Sequence, residues 1–200
     1  LWLAVFAAGF RNVFGVAITP PYETYIPYDV YIAPGLVGMV LLFNGMQSSL
    51  AMVYDREMGL MRLLLTAPLP RWWILLAKLV ATTVLSLAQA AAFVIVAALL
   101  GTVLPVFGSL LHMLHVLLAA ACAALMMGAL GLLLSVHIKQ LENFAGTMNF
   151  VIFPMYFIST ALYPLWKLEE SGAAWVYRLA QANPFTHAVE WLRFALYGKD

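Results

Sequence analysis

Four long stretches without a charged residue constrain this chain more than any other feature of its sequence. They run from Ile32 to Val53, from Leu79 to Leu100, from Leu110 to Val136 and from Phe144 to Leu165. A helix needs about 20 apolar residues to cross a bilayer, and a charge at its centre costs about 2.5 to 3.5 kcal/mol on insertion scales. Each stretch therefore predicts a complete membrane-spanning helix, and the chain an all-α, polytopic transmembrane helix bundle.

The composition agrees with a membrane protein and excludes several other classes. The chain is 64% hydrophobic and 10% charged, whereas soluble domains are about 25% charged. A net charge of +1 leaves no basic patch for a nucleic acid partner. The single cysteine, Cys122, lies in an apolar run and predicts a packed thiol rather than a metal cluster. Residues 1–10 are apolar but too short to span, so we expect a partial first helix in a chain truncated at both ends.

Basic residues in the short connections predict the orientation. Arg56, Arg62 and Arg71 follow the first full span and Lys139 follows the third, whereas the hairpin from Gly101 to Ser109 holds neither lysine nor arginine. Short cytoplasmic loops carry the excess of lysine and arginine. Residues 54–73 and 137–143 are therefore expected in the cytoplasm, and the hairpin outside.

Polar side chains inside the spans must face the bundle interior or a cavity. Such residues commonly hydrogen-bond between helices, and they can also line a substrate path. The candidates for a path are Asn44, Gln47, Ser48, Asn149 and Phe153. The small-residue pairs Gly45/Ser49 and Ala124/Gly128 are spaced for helix packing. His112 and His115 share a helix face, but the sequence around them holds no carboxylate or cysteine, so interfacial hydrogen bonding is expected rather than a metal site.

The segment from Tyr54 to Trp73 is polar and amphipathic. It contains an apolar face with Leu63 and Leu64, followed by a break at Pro68 and Pro70. It therefore predicts a cytoplasmic helix that leaves the membrane, turns and re-enters it. Physical chemistry alone leaves two interpretations open, a helix that lies on lipid headgroups or one that docks on a cytoplasmic partner.

Two separated motifs carry a resemblance to a known family. The first is Arg-Glu-x-Gly followed by Leu-Leu-x-Thr-x-Pro-Leu-x-Arg, at residues 56–71, and the second is Asn-Pro-x-Thr ending in Arg, at residues 183–193. Together with the order of the spans, they resemble the permease (membrane) subunit of type-2 ATP-binding-cassette (ABC) exporters. The resemblance covers the whole chain, 1–200, as a single transmembrane domain. That family has six spans, so the last span is expected to be missing here.

The resemblance implies roles for particular residues. Residues 54–73 would contain the coupling helix that sits in a cleft of the ATPase subunit, and residues 166–198 the outer amphipathic, re-entrant helices near the extracellular gate. The coupling residues implied are Glu57, Gly59, Leu63, Leu64, Thr66, Pro68, Leu69 and Arg71. The residues implied for the outer gate region are Asn183, Pro184, Thr186 and Arg193.

The resemblance also implies a function. The chain would be the permease of an ATP-driven exporter in the cell inner or plasma membrane, a homodimer in contact with membrane lipid, with a separate ABC ATPase. The sequence contains no Gly-x-x-x-x-Gly-Lys-Ser/Thr loop, so ATP and Mg²⁺ are expected on the partner subunit and no catalytic residue or cofactor on this chain. The alternatives are a membrane-embedded lipid-modifying enzyme and a non-catalytic assembly factor. The uncharged spans favour a lipophilic small molecule or lipid-linked cargo as substrate.

Overall fold

A computed structural model describes residues 15–17, 25–66, 68, 70–99, 109–138, 140–165 and 174–197. These ranges contain two three-residue strands and seven helices. The strands β1 (Gly15–Ala17) and β2 (Tyr25–Pro27) pair antiparallel, with Val16 opposite Ile26. The helices are α1 (Tyr28–Glu57), α2 (Leu60–Thr66), α3 (Arg71–Leu99), α4 (Leu110–His137), α5 (Leu141–Phe157), α6 (Ala174–Ala182) and α7 (Pro184–Tyr197).

Three of the described helices are long and apolar enough to cross a membrane. They are Val30–Glu57 within α1, the whole of α3 and the whole of α4, with 28, 29 and 28 residues. At 1.5 Å per residue each is about 40 Å long, which exceeds the hydrocarbon core of about 30 Å. The prediction of an all-α, polytopic bundle is confirmed.

Helix α1 lies at the centre of the bundle and packs against α3, α4, α5 and α7. Its closest neighbour is α4, because glycines let the two backbones approach. A Cβ atom added to Gly45 would lie 2.7 Å from the carbonyl carbon of Met127, and one added to Gly131 would lie 2.7 Å from the carbonyl oxygen of Gly45. The packing role predicted for Gly45 and Ser49 is confirmed, since Ser49 Oγ also lies 3.0 Å from the position of that second Cβ.

The fourth predicted span differs from the sequence expectation in its length. Helix α5 has 17 residues and ends at Phe157 instead of continuing to Leu165. Pro154 lies in its last turn, and a buried turn that includes Ser159 and Thr160 follows. Irregular backbone is tolerated at membrane depth only where protein or a water-filled cavity covers it. Here the backbone of Ala161 packs closely against Gly35 of α1. A Cβ added to Gly35 would lie 2.5 Å from the carbonyl oxygen of Ala161.

Helix α7 and the start of helix α1 agree only in part with the predictions from the sequence. Helix α7 begins at Pro184, where the Asn183-Pro184 pair predicts a helix start, and one apolar face of the helix is buried. The buried residues of that face are Phe185, Ala188, Val189, Leu192, Ala195 and Leu196. Helix α1 begins at Tyr28, before the predicted span that starts at Ile32, so Tyr31 is a buried helical residue. The partial first helix at 1–10 and the hairpin 101–108 lie outside the described residues.

Candidate functional site

The described side chains place polar contacts at both ends of the bundle. One end contains the last turn of α1, Lys78 of α3 and the turn between α4 and α5, and we call it the charged end. The opposite end contains the start of α1, the turn after α5 and most of α7. The described residues of the segments 54–73 and 137–143, both predicted to be cytoplasmic, therefore meet at the same end.

Helix α2 projects from the charged end and leaves its apolar side chains uncovered. None of its seven residues is buried, and the exposed fraction of Leu63 is 69% and that of Leu64 is 36%. Gly59 separates α2 from α1 with a φ of 75°, in the left-handed region that favours glycine. The amide of Gly59 donates to the carbonyl of Arg56 at 3.3 Å. This combination produces a short apolar projection on a sharp turn.

The remaining residues assigned to the coupling region lie around this projection. Thr66 ends α2, and its hydroxyl donates to the carbonyl of Leu63 at 2.7 Å. Pro68 is exposed, and Arg71 is the exposed first residue of α3. Leu69 lies outside the described residues. Glu57 differs from the others, because its Oε2 accepts a hydrogen bond from the amide of Leu141 at 3.1 Å.

Two further charged residues of α1 make contacts across the charged end. Asp55 forms a half-buried ion pair with Lys78 of α3. Arg56 Nη1 donates to the carbonyl of Ile138 at 3.4 Å. The sequence uses Arg56 for the orientation and for the first motif, but it does not predict the contacts of Asp55 and Arg56, because their partners lie 23 and 82 positions away.

The polar residues of the spans are only partly brought together. Asn44 Nδ2 donates to Gln89 Oε1 of α3 at 2.7 Å, which is the interhelical contact that polar residues commonly make in membranes. Gln47 on α1 and Asn149 on α5 are exposed, and Phe153 is 47% exposed. The side chain of Ser48 lies outside the described residues. The described bundle therefore has uncovered polar side chains on α1 and α5, two helices that pack together.

Asn183 joins two helices at the opposite end. Its Oδ1 accepts from the amide of Phe185 at 3.0 Å, which confirms the predicted cap at the start of α7. Its Nδ2 donates to the carbonyls of Met155 and Ile158 at 2.7 and 2.9 Å. These carbonyls belong to the end of α5, where no further helical turn supplies a donor. Pro184 fills the first helical position, where its missing N–H costs nothing.

Arg193, in the second half of α7, binds the turn that follows α5. Its Nη2 donates to the carbonyl of Thr160 at 2.7 Å, and its Nη1 pairs with Glu190. Tyr31 donates to the same carbonyl at 3.0 Å, and the Arg193 guanidinium lies 4.1 Å from the centre of the Tyr31 ring. Thr186 is buried on α7. Of the residues assigned to the outer gate region, Asn183 therefore binds the end of α5, and Arg193 binds the turn that follows it.

The two histidines each contact a main-chain carbonyl. His112 Nε2 lies 3.2 Å from the carbonyl of Leu196 in α7, and His115 Nδ1 lies 3.1 Å from that of Leu111. These are the hydrogen bonds expected from the sequence. Sequence reasoning did not identify the link from His112 to α7, nor Tyr31 as the partner of Arg193.

Comparison with known proteins shows a consistent similarity. The family model described as "ABC-2 type transporter" matches residues 1–197. The chain is 30% identical over 202 residues to "Putative transport permease ycf38" of Porphyra purpurea, covering 100% of this chain and 65% of that protein. The proteins of the same name in Cyanophora paradoxa and Pyropia yezoensis are 30% and 29% identical, covering 97% of this chain and 63% of each. No solved structure matches the chain.

Proposed function

The chain belongs to the ABC-2 type transporter family, and from this premise we propose that it is the permease subunit of an ATP-driven exporter. In this proposal the spans form the substrate path, and a separate ATPase subunit supplies the energy. The chain spans less than two thirds of the length of the relatives from Porphyra purpurea and Cyanophora paradoxa, at 65% and 63%. The activity, partner and location therefore belong to the proposal.

The observation that carries the proposal is the projecting helix α2. It presents Leu63, Leu64 and Leu65 on seven residues of which none is buried. Exposed apolar surface of this kind costs free energy in water and marks an interaction site. A cleft on an ATPase subunit would cover this surface and would receive force through it.

The uncovered polar side chains in the spans support a path. Unpaired polar groups are unfavourable in hydrocarbon, so the surfaces that carry Gln47 and Asn149 must be covered by protein, water or substrate. We propose that a second copy of this permease faces them and that the path for a lipophilic substrate runs between the copies. Asn44, Ser48 and Phe153 belong to this path in the proposal. Residues 166–198 would then form its outer gate in the inner or plasma membrane.

ATP binding is proposed for the partner, together with Mg²⁺. Closure of the partner's nucleotide sites would push α2, and the spans would change between two arrangements that ATP biases. The 200 residues contain no phosphate-binding Gly-x-x-x-x-Gly-Lys-Ser/Thr loop, which is consistent with this division of labour. Membrane lipid surrounds the assembly, and no nucleic acid takes part.

The experiment that tests the proposal is co-purification of the ATPase subunit with Leu64→Asp and Leu64→Met chains. A carboxylate buried in a cleft without a counter-charge costs about 3 kcal/mol, which lowers affinity about a hundredfold. The Asp chain is therefore expected to lose its ATPase and its transport, while the Met chain keeps both. If α2 only rests on lipid, the Asp chain will keep the partner and transport normally. That result would remove the main support for a coupled permease.

A further inference from the structure

Three consecutive charged residues at the end of α1 each contact a different helix. Asp55 pairs with Lys78 of α3, Arg56 donates to Ile138 at the end of α4, and Glu57 accepts from Leu141 at the start of α5. The last turn of α1 is therefore tied to the next three helices after α2, which are α3, α4 and α5. We call the contacts of Arg56 and Glu57 the clasp.

The order of the two charges in the clasp matches the two helix ends that they contact. Helix α4 ends at His137 with Ile138 as its cap, so its last carbonyls carry partial negative charge. Helix α5 begins at Leu141, so its first amides carry partial positive charge and lack intrahelical partners. The cation of Arg56 meets the negative end, and the anion of Glu57 meets the positive end.

We propose that Arg56 and Glu57 are positioning residues that join the end of α1 to α4 and α5, so that α2 and these helix ends move as one unit. The ion pair of Asp55 and Lys78 extends the joint to α3. Movement of α2 by an ATPase subunit rests on the proposed function. The connection of α1 to α4 and α5 rests on the observed contacts alone. Glu57 thus acts within this chain, through the amide of Leu141, and not only toward a partner.

If Arg56 and Glu57 instead attracted a partner by their charge, an exchange of the two residues would have a different effect. Surface charges that attract lipid headgroups or an ATPase depend mainly on the total charge and tolerate an exchange of neighbours. The clasp depends on which of the two positions carries the positive charge and which carries the negative charge. The double variant Arg56→Glu with Glu57→Arg keeps composition and net charge, but places each charge at the helix end that repels it.

The test measures the distance between spin labels on α2 and α5. Labels at Arg62→Cys and Gly146→Cys, two exposed positions, are introduced in a Cys122→Ser background of the full chain. The chain with Arg56 and Glu57 intact is expected to give one narrow distance peak. The exchanged variant and Glu57→Ala are expected to lose it, while Glu57→Gln retains it because its amide oxygen can still accept from Leu141.

The control is Glu142→Gln, which removes an exposed carboxylate from the first turn of the same helix and is expected to retain the narrow peak. Retention of that peak in both the exchanged variant and Glu57→Ala would overturn the proposal. So would an equal loss in the Glu142→Gln control. If the exchanged variant does not fold, the comparison of Glu57→Ala with Glu57→Gln still decides the outcome.

The same distance measured in the complex with the ATPase tests whether α2 and α5 move together. Addition of ATP and vanadate is expected to leave the distance between the labels unchanged when Arg56 and Glu57 are intact, and to change it in Glu57→Ala, because α2 then shifts without α5. A shift between the labels in the intact chain would overturn the joint movement. Failure of the intact chain to bind any ATPase would instead contradict the proposed function, while the measurements on the chain alone would still test the clasp.

Discussion

Gly59 shows how one residue sets the direction of a projecting helix. It follows α1, has a φ of 75°, and apart from itself and its two chain neighbours no residue has an atom within 4 Å of the position that a Cβ would occupy. The backbone conformation at residue 59, and not a lack of space for a side chain, therefore favours glycine there. The turn at Gly59 lets α1 end in the bundle and lets α2 point away from it.

We predict opposite effects for the same substitution at two glycines that have open space at the Cβ position. Gly59→Ala places a side chain in the left-handed region and is expected to lower the free energy of unfolding by about 1–2 kcal/mol. Gly146→Ala lies inside α5 with open space around it and is expected to raise it by about 0.5–1 kcal/mol. Denaturant titration of each variant in detergent measures the difference. Equal effects of the two substitutions would show that backbone strain does not limit residue 59.

The residue scale also shows what a motif can and cannot predict. The Asn183-Pro184 pair predicted the start of α7, because a cap followed by proline is a local signal. The second role of Asn183, binding the carbonyls at the end of α5, has no local signal. The same holds for Arg56 and Tyr31, whose partners lie 82 and 129 positions away.

At the scale of elements, the contact between α1 and α4 depends on glycine. Gly45 and Gly131 each bring one backbone against the other, whereas Gly128 faces Cδ1 of Leu79, the movable end of a side chain. The sequence predicted α1 and α4 because uncharged runs of this length have few alternatives. It did not predict the end of α5, which depends on the groups of α1 and α7 that cover the following turn.

We expect these glycines to differ in their tolerance of alanine. Gly131→Ala puts a Cβ 2.7 Å from a backbone oxygen, so α1 and α4 must separate, at a cost of about 1–3 kcal/mol. Gly128→Ala requires only that Leu79 change rotamer, and it should cost less. Thermal unfolding in detergent ranks the two variants, with Gly146→Ala as the control at an uncrowded site. A more stable Gly131→Ala chain would contradict the close packing of α1 and α4.

At the scale of the whole molecule, side-chain contacts join the helices at both ends of the bundle. Ionised side chains tie the helices together at the charged end. At the opposite end, Asn183 binds main-chain carbonyls at the end of α5, and Arg193 and Tyr31 bind the carbonyl of Thr160 in the buried turn that follows. The distribution of arginine and lysine predicted which segments share an end, because orientation follows that distribution. It contained no information on the turn.

Orientation in the membrane is the prediction that tests the whole arrangement. Ser109 and Gln140 are exposed and flank α4, whose 28 residues extend about 42 Å at 1.5 Å per residue. Because Gln140 adjoins the charged end, we expect a cysteine there to react with a membrane-impermeant maleimide only from the cytoplasmic side. A cysteine at Ser109 should react only from outside.

The chain supplies its own control for this experiment. Cys122 lies within α4, on the same helix as the two probes, and hydrocarbon should protect it from a polar reagent. Unmodified chain should therefore stay unlabelled from both sides, and any signal should come from the introduced cysteine. Reaction of both probes from one side would mean that α4 does not cross the bilayer. In that case α2 and the turn after α5 could not lie on opposite faces of the membrane, and a push on α2 could not open an outer gate.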